Sequence, residues 1–200
     1  MYSFPSRGGT ALVLIALLLL PLLPPRTPSA EDPPRILVPH EILRVDDGDS
    51  LSIRWPDGIE TVRILGIDTP ETFHPQHDLP YAQPFGDVAR GFLEGCLAVA
   101  DEVQLLRSGD KDPYGRTLGY LFLDGKNYSL LVLRAGLAVE NVRHFGDNGL
   151  PAIAAEVLAA AEEAPPVPFE APYRFRARMR KVAEDLRARG RYPCPPDGDR

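Results

Sequence analysis

From Ser50 to Trp55 the chain alternates, with Leu51, Ile53 and Trp55 on one side of an extended backbone and Ser50, Ser52 and Arg54 on the other. That period of two predicts a half-buried strand. Pro56-Asp57-Gly58 is a turn signal, and Ile59 to Ile67 continues as a second strand, so the two form a hairpin. The stretch from Thr72 to Pro84, punctuated by Pro75 and Pro80, reads as an irregular loop. Between Asp87 and Ala100, Val88, Phe92, Cys96 and Val99 recur at helical spacing, and Asp87 can cap the start. Gly91 and Gly95 on that helix suggest close packing against something flat. Val103 to Leu106 and Thr117 to Leu123 are further strands, the second ended by Asp124-Gly125. Ser129 to Ala135 is a short helix stopped by Gly136, after which Leu137 to Val142 returns to the body. Pro151 to Ala164 is an Ala-rich helix with proline in its first turn. A stiff Pro165-Pro166-Val167-Pro168 connector leads to a last helix, Tyr173 to Arg189, ended by Gly190. Strands come first and short helices cap them, which points to an α+β chain built on a small antiparallel barrel.

The chain has 200 residues, 44% of them hydrophobic, enough for one packed domain. Residues 1–30 stand apart: Arg7, an apolar run from Ala11 to Leu23 broken at Pro21, then Pro28-Ser29-Ala30. This is the layout of a secretory signal peptide, an uncleaved membrane anchor being the alternative. The protein is therefore expected to be secreted or periplasmic, with a Pro-rich leader over 31–40 and a tail over 193–200. In an oxidising compartment Cys96 and Cys194 could bridge and pin the tail to the body.

The net charge is -6, and loss of Arg7 and Arg26 with the signal leaves 20 basic against 28 acidic side chains, or -8. That is the wrong sign for a generic nucleic-acid binder. Its distribution is uneven: Arg174, Arg176, Arg178, Arg180, Lys181, Arg187, Arg189 and Arg191 stand against Glu184 and Asp185. Such a run is either a stripe that meets phosphates or the solvated face of a helix.

The acids nearest the hairpin carry the chemistry. Reflection about Asp57-Gly58 pairs residues whose numbers sum to about 115, so Asp49 faces roughly Gly66 and Asp68 becomes its diagonal neighbour. Side-chain roots are then about 7–8 Å apart, close enough for both carboxylates to reach one cation. The Thr69 carbonyl can join from the same turn, and with no Cys or His beside them a hard metal such as Ca²⁺ is favoured over Zn²⁺. Arg63 precedes Asp68 by five residues and faces the other way if the strand is regular; a twist or Gly66 could re-aim it. Glu71 is either a general base or a turn-capping carboxylate. His74 and His77 in the Pro-rich loop are a zinc pair or simply solvated.

Four segments carry a resemblance. Val45-Asp46-Asp47-Gly48-Asp49-Ser50, Val62 through Thr72, Asp112-Pro113-Tyr114-Gly115-Arg116 and Arg134-Ala135-Gly136-Leu137-Ala138 together closely resemble the staphylococcal nuclease (thermonuclease) family. The likeness covers about residues 41–145 and, less strongly, 173–192. It implies an OB-fold-type five-stranded antiparallel β-barrel with capping helices, a nuclease domain over 41–192, and an insertion at 146–172. It also implies a Ca²⁺ site at Asp49, Asp68 and the Thr69 carbonyl, a base or water-orienting role for Glu71, and phosphate clamping by Arg63 and Arg116. DNA and RNA would be cut to 3′-phosphate products by an extracytoplasmic monomer with no stable protein partner. Where the family's best-known member has two substrate-stacking tyrosines, this chain reads Val142 and His144; His144 and Tyr114 are the candidate substrate contacts. The rival reading is a module of the cell envelope that binds nucleic acid or another ligand without cutting.

Overall fold

The computed structural model describes residues 34–193. The expected signal peptide and the Cys194 half of the expected Cys96–Cys194 pair lie outside the described residues. The strands are β1 (Ile36–Leu37), β2 (Leu43–Val45), β3 (Ser50–Trp55), β4 (Gly58–Ile64), β5 (Ile67–Asp68), β6 (Val103–Lys111), β7 (Thr117–Leu123), β8 (Lys126–Asn127) and β9 (Val139–Glu140). The helices are α1 (Gly86–Val99), α2 (Tyr128–Arg134), α3 (Val142–Phe145), α4 (Pro151–Glu163) and α5 (Pro172–Ala188). The main sheet runs β1-β6-β7-β4-β3-β2, with β8 on β7, while β5 and β9 make a separate two-stranded ladder. Among the described residues every strand pairing is antiparallel except β4 with β7, which is parallel. The sheet curls into a half-barrel, so the α+β, OB-like class expected from the sequence is the one observed.

The hairpin register differs from expectation by two. Trp55 pairs with Gly58 and Ser50 with Arg63, because the turn is the two-residue Pro56–Asp57 and reflection is about that bond. Asp49 therefore lies opposite Ile64, whose N–H donates to the Asp49 carbonyl at 2.8 Å. The second strand also stops early. Gly66 has φ +83 and an ideal Cβ there would stand 3.0 Å from Val157, so the chain breaks at this glycine and restarts as β5. β6, by contrast, runs past Leu106 to Lys111 across an irregularity between Arg107 and Lys111.

The inward face of α1 is Ala89, Leu93 and Leu97, whereas Val88 and Val99 are exposed and Phe92 and Cys96 half-buried. Alanine is what fits where the helix meets the chain at Gly48, whose ideal Cβ would stand 2.8 Å from the Ala89 Cβ. Gly91 and Gly95 face open space, and no side-chain bond from Asp87 caps the helix. The local stops elsewhere are as expected: Asp124 and Gly125 adopt positive φ in the β7–β8 turn, Gly136 ends α2, and Pro151 opens α4. Asn127 caps α2 by accepting from the Ser129 N–H at 3.0 Å.

One core is filled by Leu51, Ile53, Ile64, Leu105, Leu121 and Tyr128, with Val157 and Ala160 of α4 joining it. The last helix, α5, docks separately. Phe175 and Met179 pack on Leu79 of the Pro-rich loop, Gln83 donates to the Glu170 carbonyl at 2.7 Å, and the Tyr192 hydroxyl donates to the Pro75 carbonyl.

Glu60 lies on the same face of the sheet as Ile53, Val62 and Ile64 and ties the end of that face, accepting from Arg107 Nε at 2.7 Å and Nη2 at 2.6 Å and from Trp55 Nε1 at 2.7 Å. The Arg107 bonds hold its carboxyl down at about 2 against the opposing effect of burial. A carboxyl depressed on folding stabilises above its unfolded value and loses that contribution as pH falls toward the folded one. Glu60→Gln is expected to cost about 1 kcal/mol at pH 7, discounted because Arg107 is partly exposed. In urea melts the gap to wild type should close between pH 4.5 and 2; a gap that persists in acid would contradict the assignment.

Candidate active site

The β3–β4 register sets the centre. Because Ser50 and Arg63 are paired, the Arg63 guanidinium lies over the start of β3, and the break at Gly66 brings Asp68 back to the same side. Arg63 Nη1 contacts the Asp49 carboxylate and donates to the Asp49 carbonyl at 3.3 Å. Nη2 donates to the Ile67 carbonyl at 3.0 Å and to Asp68 Oδ1 at 3.1 Å. The opposite-face expectation for a regular strand is thus overturned: one half-buried guanidinium ties both acids together. Burial pushes the Arg63 pKa down, and Asp68 and Asp47 oppose that.

Asp49 and Asp68 are both buried. Asp49 Oδ2 accepts from the Thr69 N–H at 2.7 Å, and Ser50 Oγ donates to Asp49 Oδ1 at 3.3 Å. Gly48 is needed here for space, since an ideal Cβ would also stand 2.8 Å from Thr69 Oγ1. That Oγ1 is buried without a hydrogen-bond partner. The two carboxylates, with the hydroxyl and carbonyl of the adjoining Thr69, offer only oxygen atoms, the donor chemistry that a hard divalent cation would take. Among the described residues no three His, Cys, Asp or Glu side chains converge as a metal cage. A cation here would therefore rest on two carboxylates and complete its shell with carbonyl and water. The same observation leaves His74 and His77, whose rings stack 5.6 Å apart, without a third zinc ligand.

Glu71 follows on the loop. Its N–H donates to Gln83 Oε1 at 3.2 Å and its carbonyl accepts from the Gln83 N–H at 2.8 Å. Burial pushes the Glu71 carboxyl up, and Arg176 pulls the other way. Arg116 enters from the β6–β7 turn: Asp112 Oδ1 accepts from the Tyr114 and Arg116 N–H groups at 2.9 Å, and Asp112 Oδ2 accepts from Arg116 Nε at 2.7 Å. Burial alone raises the Asp112 pKa, but these bonds hold it below the usual range. Arg116 Nη1 donates to Ser50 Oγ at 3.3 Å. The bonds are continuous from Arg116 through Ser50, Asp49, Arg63 and Asp68.

Tyr114, 83% exposed, stands beside this cluster with the Arg116 Cζ 5.7 Å from its ring centroid. His144, exposed on α3, packs edge-on against Phe145, and Val142 is buried.

Arg176 of α5 is the member that sequence reasoning did not single out. Its Nη1 and Nη2 donate to Asp68 Oδ1 and Oδ2, each at 2.9 Å, and Nη1 also contacts Glu71 Oε1. Burial lowers its pKa, but Asp68 and Glu71 more than offset this and raise it. In the sequence it is one arginine among several; what marks it is its place next to the buried Phe175–Met179 stripe, which only the docked helix reveals.

The central segment of the chain is similar in sequence to known proteins. Residues 61–164 match the family described as Staphylococcal nuclease homologue. SPbeta prophage-derived endonuclease YokF of Bacillus subtilis (strain 168) is 37% identical over 103 residues, 51% of this chain and 34% of that protein. Thermonuclease of Staphylococcus intermedius is 37% identical over 98 residues, 48% of this chain and 56% of its own length. Endonuclease YncB of B. subtilis (strain 168) is 36% identical over 103 residues, 51% of this chain and 47% of its own. The chain thus spans between a third and somewhat over half of these relatives. The matched segment contains Arg63, Asp68, Thr69, Glu71 and Arg116, and Asp49 and Arg176 fall outside it. Matching over half its length, and with the curled sheet to go with it, the chain belongs to the staphylococcal nuclease homologue family.

Proposed function

We propose that the protein is a Ca²⁺-dependent nuclease that hydrolyses phosphodiester bonds of DNA and RNA outside the cytoplasm. Asp49, Asp68 and the Thr69 carbonyl would hold the Ca²⁺, which would supply positive charge to offset that of the phosphate. Glu71 takes a proton from the attacking water. As the water oxygen bonds to phosphorus in line, the bond to the 5′-oxygen breaks, leaving a 3′-phosphate and a 5′-hydroxyl that gains its proton from solvent. Arg116 has its guanidinium plane fixed by Asp112 and Ser50 and is partly exposed, suiting it to hold the phosphate and the charge it gains. Arg63 holds the two metal acids together and adds a second positive charge beside them. Tyr114 offers an exposed ring next to Arg116 for a base, and His144, exposed on α3, offers a second ring.

The observation that carries this reading is that one guanidinium joins Asp49 and Asp68 while Arg116 is bonded into the same cluster through Ser50. The test uses labelled single-stranded DNA and RNA of defined sequence, with the termini of any products identified. Both should be cut, giving 3′-phosphate ends. Retention of both strands bound and uncut would give the site to the non-catalytic binding module instead.

A second test reaches the site through the backbone. An ideal Cβ on Gly86 would lie 2.2 Å from the Glu71 carbonyl oxygen, so any side chain there moves the base. Gly86→Ala is expected to lower the cleavage rate about 10²-fold and to cost about 1–3 kcal/mol in urea unfolding. Full activity in this variant would remove Glu71 from its assigned position.

A further inference from the structure

We infer that Arg176, delivered by the C-terminal helix α5, is the residue that sets the divalent-cation affinity of this site, by occupying Asp68 until a cation displaces it. The inference rests on the metal reading proposed above. Asp68 accepts one bond on each oxygen from the Arg176 fork, and Oδ1 accepts a third from Arg63. A paired fork of this kind uses the carboxylate edge that a cation would need. Ca²⁺ takes its oxygens at about 2.3–2.6 Å, and it cannot share that edge with two nitrogens at 2.9 Å. The guanidinium does not lose its charge in the physiological range, so it must leave bodily.

The side chain can leave without the helix. α5 is held by Phe175 and Met179 on Leu79, by Arg187 on Asp78, and by the Gln83 bond to the Glu170 carbonyl. None of these contacts passes through Arg176. Its side chain is 34% exposed, so outward rotation is open to it. The docked helix therefore keeps the competing charge at a fixed local concentration, and the apparent affinity for the cation falls by the fraction of time the fork is seated. Glu71 is held by the same nitrogen that holds Asp68. Displacement thus frees the proposed base at the moment the cation seats.

Isothermal titration of the purified protein with CaCl₂, without nucleic acid, tests this. Arg176→Gln is expected to bind Ca²⁺ about tenfold more tightly than wild type, within the ordinary range of coupling between two ligands. Arg176→Lys, which keeps the charge but loses the fork, should fall between them and serves if the glutamine variant fails to fold. Arg180→Gln, one turn further along the exposed face of α5, should bind as wild type does and controls for the loss of a nearby charge. Equal or weaker binding by Arg176→Gln, or an equal gain in Arg180→Gln, overturns the inference while leaving the nuclease reading intact. No Ca²⁺ binding by wild type or any variant overturns the metal assignment and this inference with it.

Discussion

Glu71→Gln is expected to slow phosphodiester cleavage about 10²–10⁴-fold, the span typical of general-base help. The substitution is nearly isosteric. The Gln83 bonds that hold the loop use the Glu71 main chain, and an amide oxygen can still accept from Arg176, so the geometry should survive. What is lost is a group that can take a proton from water. The effect should therefore appear in kcat with KM little changed, because the base helps the transition state more than it binds substrate. Initial rates at saturating substrate, with a thermal melt to check folding, would measure it. A rate equal to wild type would return Glu71 to the alternative reading, a carboxylate that only braces its turn.

Arg116→Ala should be almost as damaging to rate, about 10²–10³-fold, and far less damaging to stability. Its bond to Asp112 is partly exposed, and such pairs contribute about 1 kcal/mol or less. Arg116→Lys should recover only part of the loss, since a point charge cannot present the fork that Asp112 and Ser50 orient. Rates for the three proteins on one oligonucleotide, set beside their urea midpoints, separate the roles. A large stability loss with little rate loss would make Arg116 a structural residue of the β6–β7 turn.

What could be read in the sequence follows how local each signal is. β7 with its Asp124-Gly125 stop, α4 with Pro151 at its start, and the end of α2 at Gly136 were all legible, because each is written in adjacent residues. The hairpin was legible but its register was not: placing the turn one residue late shifts every pair by two, and only the Pro56–Asp57 geometry decides it. The buried face of α1 lies one residue along from the expected one, because the Val88-Phe92-Cys96 and Ala89-Leu93-Leu97 stripes are adjacent and both apolar, and only the close approach of Ala89 to Gly48 turns the second inward.

The site divides in the same way. Asp49, Asp68 and Thr69 come together through a hairpin that reflection approximates. Arg63 needed the positive φ at Gly66 to bring Asp68 to its side, and a regular strand would have kept them apart. Arg176 lies 105 residues from Glu71 and arrives through helix docking on Leu79, a contact with no trace in spacing. The His74–His77 pair shows the converse, a suggestive spacing that gathers no further ligand among the described residues.

The most direct measurement is the initial rate at which the wild-type protein cuts a labelled single-stranded oligonucleotide, in Ca²⁺ and again with excess chelator. Cleavage in Ca²⁺ that stops on chelation and returns when Ca²⁺ is restored is the expected result. Cleavage that continues unchanged under the chelator would contradict a mechanism built on Asp49 and Asp68.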